Sequence, residues 1–595
     1  MSTRTSSHTR TLGARVALSA VAIAGTAAAL SSWAGCGSSR EAFDLPDASG
    51  AMGREAGSLA EGGARTACEL AVERRSPLGC DYAVFAFAEA SYLKICTGLL
   101  VSNPGTEPAR LSIRYDGKPL AIGSSSRLIT GIGRDPGWAP LKDDVLPPGM
   151  SAVINIVEGV PNSFGTASCT FPALVKDEAA FASEGVSKAF QLHADHPILA
   201  TYRAGSGVRG GVGGFAYGTS SAVLRAVPSW STQYLDVGMY MPGRPTRQVD
   251  VTTGDAYSFV EGAFAALIAA EPTSVTVATD AGTETYRLKA GELYRVGRDD
   301  LHIGSAITAD HPIGVFVGAP LAFIPYNVAF ANQILTQIPP TGAWATEYAV
   351  TGHPQRRPGK KDDPSLFRIV AAKAGTTFEY DPSPPLGAPA SLDAGGLAVF
   401  GSSTPFVVRS QDAEHPFYVS VSMTGSSPLC DVHRFDDERW DGGAPGDIRF
   451  TDCPGGPIVA GIPRPLEYAE RFAFSADYPF ADTHLVLVRK KTADRFADVR
   501  LDCAGTLSGW SPIGKGGVYE TVTIPLSRDN FAPQIYPGGS CQLGAHTMSS
   551  DAPFTGSLWG WTHRGVDGLD PDDDGSGYGY GYALYGTDAE QHPTR

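Results

Sequence analysis

Charge is thin in this chain, and helical periodicity is scarce. Charged residues make up 18% of the 595, with 47 basic against 62 acidic side chains, and nowhere do Lys and Arg cluster densely enough to neutralise a row of phosphates. A nucleic-acid partner is excluded on that ground. Beyond the first forty residues no apolar run reaches the roughly 18–20 residues that cross a bilayer as a helix. No two cysteines form a CxxC pair and no His lies at zinc-finger spacing, which removes the common structural zinc sites. A nucleophile elbow, an HExxH helix and a P-loop are all missing. Gly205-Ser206-Gly207-Val208-Arg209-Gly210 matches a dinucleotide fingerprint in letters only. Gly211, Gly213 and Gly214 continue the loop where a helix N-terminus would have to receive the phosphates.

Turn chemistry is what the chain has in quantity. Its 70 Gly and 44 Pro are more than a helix-rich protein tolerates, and they favour short strands joined by many loops. A chain of 595 residues exceeds one hydrophobic core and predicts about three to five packed units. Only Asp177 to Lys188 reads as a short helix.

The N-terminus reads as an address. Arg4, Arg10 and Arg15 precede the apolar run Val16 to Leu30, and small residues lead to Ala34-Gly35-Cys36. That end resembles a bacterial lipobox, whose Cys is acylated and becomes the first mature residue, although Trp33 departs from the usual aliphatic residue. Ordinary cleavage near Ala27–Ala34 is the alternative. Gly37 in place of Asp resembles an outer-membrane sorting context. Residues 37–66 hold one aromatic, Phe43, and read as a flexible tether.

With Cys36 set aside as the lipid anchor, eight cysteines remain: Cys68, Cys80, Cys96, Cys169, Cys430, Cys453, Cys503 and Cys541. An even number behind a secretion signal implies disulfides. Proximity favours Cys68–Cys80, Cys96–Cys169, Cys430–Cys453 and Cys503–Cys541, among the 105 pairings that eight cysteines allow.

Three kinds of segment recur in a fixed order, which is the mark of a repeat architecture. One reads as a strand, a turn and a strand around Asp195-His196-Pro197, Asp310-His311-Pro312 and Glu414-His415-Pro416, with a degenerate copy at Asp477-Tyr478-Pro479. A second is Pro followed by Trp and Tyr: Pro228, Trp230 and Tyr234, then Pro339, Trp344 and Tyr348, with a weaker match at Pro463 and Tyr468. The third is hairpin-like, at Val275 to Leu293 and Phe367 to Leu397. Alternation such as Ser274-Val275-Thr276-Val277 puts apolar side chains on one face of a strand. The interval from Trp230 to Trp344 is close to one immunoglobulin-like sandwich of about 100 residues. The predicted fold is therefore all-β: tandem immunoglobulin-like β-sandwich modules carrying disulfides. Predicted boundaries are signal 1–36, tether 37–66, an N-terminal module 67–226, repeats 227–337 and 338–428, a disulfide-bearing insertion 429–461, and a C-terminal sandwich 462–595.

Ile307 to Gly318, Gln337 to Val350, Phe367 to Thr376, and Ala394 to Phe400 with Pro405 to Val408 together resemble the N-terminal domain family of IgG Fc-binding proteins. Gly79 to Val84 with Leu100 to Pro104 resembles the opening segment shared by large bacterial extracellular members. Thr483 to Trp510 and Ala552 to Trp561 resemble their closing module. The resemblance implies an extracellular β-rich protein without a known catalytic apparatus. It carries no residue motif for Fc recognition onto this chain, and fold does not fix ligand.

The repeated Asp195-His196, Asp310-His311 and Glu414-His415 pairs invite a reading as acid–base groups or ligands. Adjacent strand residues point to opposite faces, however, and a group repeated once per module reads as structural. Asp570, Asp572 and Asp574 have the spacing of a calcium loop, but Gly581 stands where a bidentate Glu belongs, so a solvated acidic loop competes with weak Ca²⁺ binding. No other cofactor is implied. Aromatics alternating from Tyr578 to Tyr585 read as a buried final strand. The predicted function is non-enzymatic: a cell-surface outer-membrane lipoprotein mediating adhesion to an extracellular protein or matrix. The competing class is a secreted hydrolase acting on polysaccharide or peptide, with carboxylates in a cleft between modules. Cys36→Ser is expected to abolish incorporation of labelled fatty acid and to move the chain from the membrane fraction to the soluble fraction.

Overall fold

A computed structural model describes residues 65–588 apart from 75, 88–93, 134–136, 161–168, 205–219, 239–247, 250–255, 258–262, 280–281, 298–302, 323, 325–331, 357–362, 426–454, 477–479, 530 and 562–578. Cys36, Cys430, Cys453, Asp477 to Pro479, the glycine loop at 205–210 and the acidic loop with Asp570, Asp572 and Asp574 lie outside the described residues. The described residues belong to one compact unit, Gly57–Arg595.

Strands dominate, and all but one of the named pairings between them are antiparallel. The helix expected over Asp177 to Lys188 does not form. Asp177 caps a single 3₁₀ turn, Glu178–Ala180, and the chain then enters strands Phe181–Ala182 and Gly185–Lys188. Gly185 sits at φ 89, outside helical space, and Gly185–Lys188 instead pairs with Glu292–Gly297. A helix does form at Ala67–Arg74, and it carries Cys68.

Four sandwich modules follow one another with the same strand connectivity. It is plainest in the third, where one sheet runs Glu347–Val350, Phe406–Ser410, Thr376–Asp381, Ser391–Leu392, and the other Leu397–Ser402, Ser365–Ala371, Phe417–Met423, Ile458–Gly461. In the first, second and fourth modules the two middle strands fuse into one long strand, Phe190–Ala204, Ala306–Ala322 or Gly544–Trp561. Its first half pairs in one sheet and its second half in the other. Each module opens on a strand beside the first half (Gly79–Val84, Ser231–Leu235, Glu347–Val350, Ala469–Ala476). Each closes on a strand beside the second half (Ser220–Val223, Asn332–Gln337, Ile458–Gly461, Gly579–Leu584). Ile458–Gly461, at the end of the stretch read as an insertion, is thus the closing strand of the third module.

The Asp-His-Pro segments differ from the expected strand–turn–strand. Asp195-His196-Pro197 and Asp310-His311-Pro312 bend a continuous strand from one sheet into the other. Proline has no N–H for the ladder, so pairing must slip there, and the register jumps from Asp81↔His193 to Gly79↔Ile198. The Asp carboxylate pins the bend to the next strand: Asp195 accepts the Arg110 N–H at 2.7 Å, and Asp310 accepts the Ser274 N–H at 2.8 Å. Glu414-His415-Pro416 alone lies in a true turn, between Phe406–Ser410 and Phe417–Met423. The fourth copy among the described residues is Asp551-Ala552-Pro553, inside Gly544–Trp561, where the register slips in the same way.

A tyrosine bridges each of the first three slips. Ser231 N–H donates to the Tyr234 hydroxyl (3.1 Å), which donates to the Ile313 carbonyl (2.6 Å). Tyr82 serves Gly79 and Ile198 in the same way, and Tyr348 serves Ala345 and Phe417. The fourth module has Phe472 at this place, its ring 4.6 Å from that of Phe554.

The sheets that carry the closing strands are buried on both faces. Leu99 and Val101 face the first module's own core, while Leu100 and Val153 join the core of the fourth with Leu485 and Leu487. Phe264 and Phe316 of the second module pack into the core of the first, Val370 and Tyr418 of the third into the second, and Trp559 and Trp561 of the fourth into the third. The modules therefore close into a ring, and the unbroken burial of strands Thr97–Ser102 and Phe264–Ala269 follows from it. Contacts across module boundaries are close: at Gly304 an added Cβ would lie 2.7 Å from the Gly395 backbone. Disulfides join Cys68–Cys80, Cys96–Cys169 and Cys503–Cys541, three of the pairs that proximity favours. Tyr234→Phe leaves the Ser231 N–H and the Ile313 carbonyl without this bridge. It is expected to cost about 1–3 kcal/mol in a urea unfolding titration, whereas Phe472, which has no hydroxyl, tolerates Leu at a cost set by packing alone.

Candidate functional site at the ring axis

Between modules the chain turns in a fixed way. After each of the first three closing strands comes a single 3₁₀ turn, Val227–Ser229, Thr341–Ala343 or Pro465–Glu467, and then the next opening strand. Pro228 and Pro465 supply the φ that the first residues of such a turn need. Trp230 Nε1 donates to the Arg225 carbonyl and Trp344 Nε1 to the Pro339 carbonyl, both at 3.1 Å, so that each indole closes its own linker. Tyr468 follows the third turn.

The four closing strands meet one another around the axis of the ring. Side chains and carbonyls bond between them: Ser221 to Gly581 at 3.2 Å, Asn332 to Pro457 at 3.3 Å and Thr336 to Val459 at 3.4 Å. Where the linker turns converge at one end, a cavity opens with about 50 Å³ of space for water-sized molecules. Arg225, Gln337, Tyr418, Gly461, Arg464, Glu467 and Tyr585 are among its lining residues.

Its polar groups are strongly held. Arg225 Nη2 lies 2.7 Å from Glu467 Oε1, and Arg464 Nε lies 3.4 Å from the same oxygen. The Arg225 backbone N–H donates to Gln337 Oε1 at 2.7 Å. The Tyr585 ring lies 5.9 Å from the Arg225 guanidinium. Burial pushes the Glu467 carboxyl up, but Arg225 and Arg464 outweigh it and hold the group below the usual carboxylate range. Burial pulls Arg225 down, and Glu467 more than reverses that. Burial raises the Tyr418 phenol to about 12, so it stays protonated. Among the described lining residues Glu467 is the single carboxylate, and it is held as an anion.

The residues singled out in the sequence stand elsewhere. His196 Nδ1 lies 3.0 Å from Asp195, His311 Nδ1 3.2 Å from Glu271, and His415 Nδ1 2.7 Å from Asp412, each at the bend of its own module and partly exposed. Among the described residues Asp502, Cys503 and His546 form the one cluster with metal-ligand spacing. The Cys503 sulfur is bonded to Cys541, and His546 Nε2 lies 2.8 Å from the Gln542 carbonyl, so no ligand set for a metal is left. Tyr580 and Tyr582 are buried in the last closing strand. Sequence reasoning missed Arg225, Tyr418, Arg464 and Glu467. For Arg225, Arg464 and Glu467 the available signal was charge beside the first and third proline linkers, at the end of an otherwise apolar strand; Tyr418 gave none.

Fold and site together define a ring of antiparallel β-sandwich modules with a buried ionic hub. A sequence model of the IgGFc binding protein family matches residues 220–560, from the first closing strand into the last long strand, and the chain belongs to that family. No curated protein and no solved structure matches it.

A second buried ion pair fixes the third module. Arg356 binds Asp363 through Nη2 at 2.6 Å and Nε at 2.9 Å, and donates to the Thr424 carbonyl and hydroxyl at 2.7 Å. Burial raises the Asp363 carboxyl, but the Arg356 charge overrides it and brings the group from 3.8 to about 2. A folded-state value below the unfolded one gives stability that is complete above pH 3.8 and is lost as pH falls through about 2. The contribution is roughly 2 kcal/mol. Asp363→Asn is expected to be destabilised at pH 6, with the gap to the parent chain closing between about pH 4 and pH 2 when melting temperature is followed against pH.

Proposed function

We propose that this chain is a non-enzymatic interaction protein of the cell surface, held in the outer membrane through lipidated Cys36 and binding an extracellular protein or matrix component. The observation that carries the reading is the axis. There a cavity lined by all four modules holds a carboxylate locked between two guanidinium groups instead of a poised acid and base. The disulfides support an oxidising compartment, and the family's printed name describes a binding protein. The antibody in that name is not carried over. Adhesion fits because a ring closed by apolar interfaces is a rigid platform whose loops and sheet edges remain for partners.

Cells lacking the chain are expected to lose attachment to matrix or to one another, and to regain it when the full chain, but not Cys36→Ser, is restored. Release of reducing sugar or of peptide fragments by the purified chain from a panel of polysaccharides and proteins would overturn the reading in favour of a hydrolase.

A further inference from the structure

We propose that the axial cavity is a carboxylate-binding site. This inference does not rest on surface display, and it is testable on the purified chain. The lining carries the charges of Arg225 and Arg464 against the single charge of Glu467, so one positive charge is left over where desolvation makes an uncompensated ion costly. Three polar atoms in the lining make no close hydrogen bond: Arg464 Nε, which lies 3.4 Å from Glu467 Oε1, Arg225 Nε, in a residue 4% exposed, and the Tyr418 hydroxyl, in a residue 3% exposed and with only a weak pull from the Ser420 side chain. Buried polar atoms of this kind are rare in folded proteins. Arg225 Nε can only donate, and the neutral phenol can donate as well, so an anionic acceptor completes both.

The space in front of the hydroxyl is kept clear. A Cβ at Gly461 would lie 3.2 Å from Tyr418 Oη. Gly461 is not among the positive-φ glycines, so its backbone does not require glycine. The space, about 50 Å³ for water-sized molecules, admits a carboxylate on a short stem. Leu466, 86% exposed at the tip of the Pro465–Glu467 turn, places an apolar side chain beside the lining residues Arg464 and Glu467. The carboxylate can come from a free small acid or from a polypeptide.

The test is isothermal titration of the full chain with propionate, and with a short peptide ending in a free carboxylate or in its amide. Saturable binding of propionate is expected, weakened about tenfold or more in Tyr418→Phe, which removes one donor, and in Gly461→Ala, which fills the approach. Tyr418→Phe is expected to melt close to the parent chain, because the hydroxyl it removes makes no close hydrogen bond and feels Ser420 only weakly. Should Gly461→Ala melt lower, Tyr418→Phe alone decides. A peptide acid that binds tighter than propionate, with its amide silent, assigns a polypeptide source, and equal affinities of peptide acid and propionate assign a free acid. Absence of saturable binding by either acid, or equal affinity of Tyr418→Phe and the parent chain, overturns the proposal.

Discussion

A sheet whose two faces are both apolar has to be covered twice, and one sandwich covers it once. In each module the sheet that carries the closing strand is in this position, with Leu99 and Leu100, or Leu267 and Ile268, pointing opposite ways and both buried. The second face is covered by the core of a neighbouring module. At about 25 cal/mol per Å² of apolar surface, leaving four such faces in water would cost far more than the few kcal/mol by which a domain is stable. Ring closure, the convergence of four closing strands and the axial cavity all follow from that one requirement.

The axis is the place where packing leaves backbone and polar side chains facing one another. Arg225 comes from the first linker and Glu467 from the third, 242 residues apart, and they meet at 2.7 Å because the ring brings those linkers together. A buried ion pair of this kind adds little net stability but makes mispairing expensive, since either partner alone would be an uncompensated charge. The hub therefore acts on register: it requires the first and third linkers to dock before its charges are satisfied. Arg356 and Asp363 do the same on a smaller scale within the third module.

The bend shows how one local device serves every module. Proline breaks the ladder, an acidic side chain ties the bend to its neighbour, and a tyrosine hydroxyl spans the gap that the slip opens. The device survives substitution. In the third module Gln411 takes the place of the Asp, accepting the Thr377 N–H at 2.9 Å. In the fourth, Phe472 gives up the hydroxyl and packs on Phe554 instead. The His residues that made the motif conspicuous are its least essential part, and Asp551-Ala552-Pro553 bends its strand without one.

The local features were legible in the sequence because local physics sets them. Glycine and proline frequency pointed to strands and turns, alternation marked strands such as Thr273–Thr279, and neighbouring cysteines pointed to three bonded pairs. The repeated Pro and Trp marked the linkers. A short helix was misread over Asp177 to Lys188 because capping there was local, whereas the pairing that displaced it comes from Glu292–Gly297, a hundred residues away. The fourth bend was missed because its His is Ala and its Tyr is Phe. Which module covers which face, and that the last returns to the first, depended on tertiary structure alone. A run such as Thr97–Ser102 states that both its faces must leave water, but nothing within it names Leu485 and Leu487 as the partners. Arg225 and Glu467 were unreadable as a site for the same reason: hydrophobic burial is non-directional, and only closure of the ring chose which distant charges would face each other.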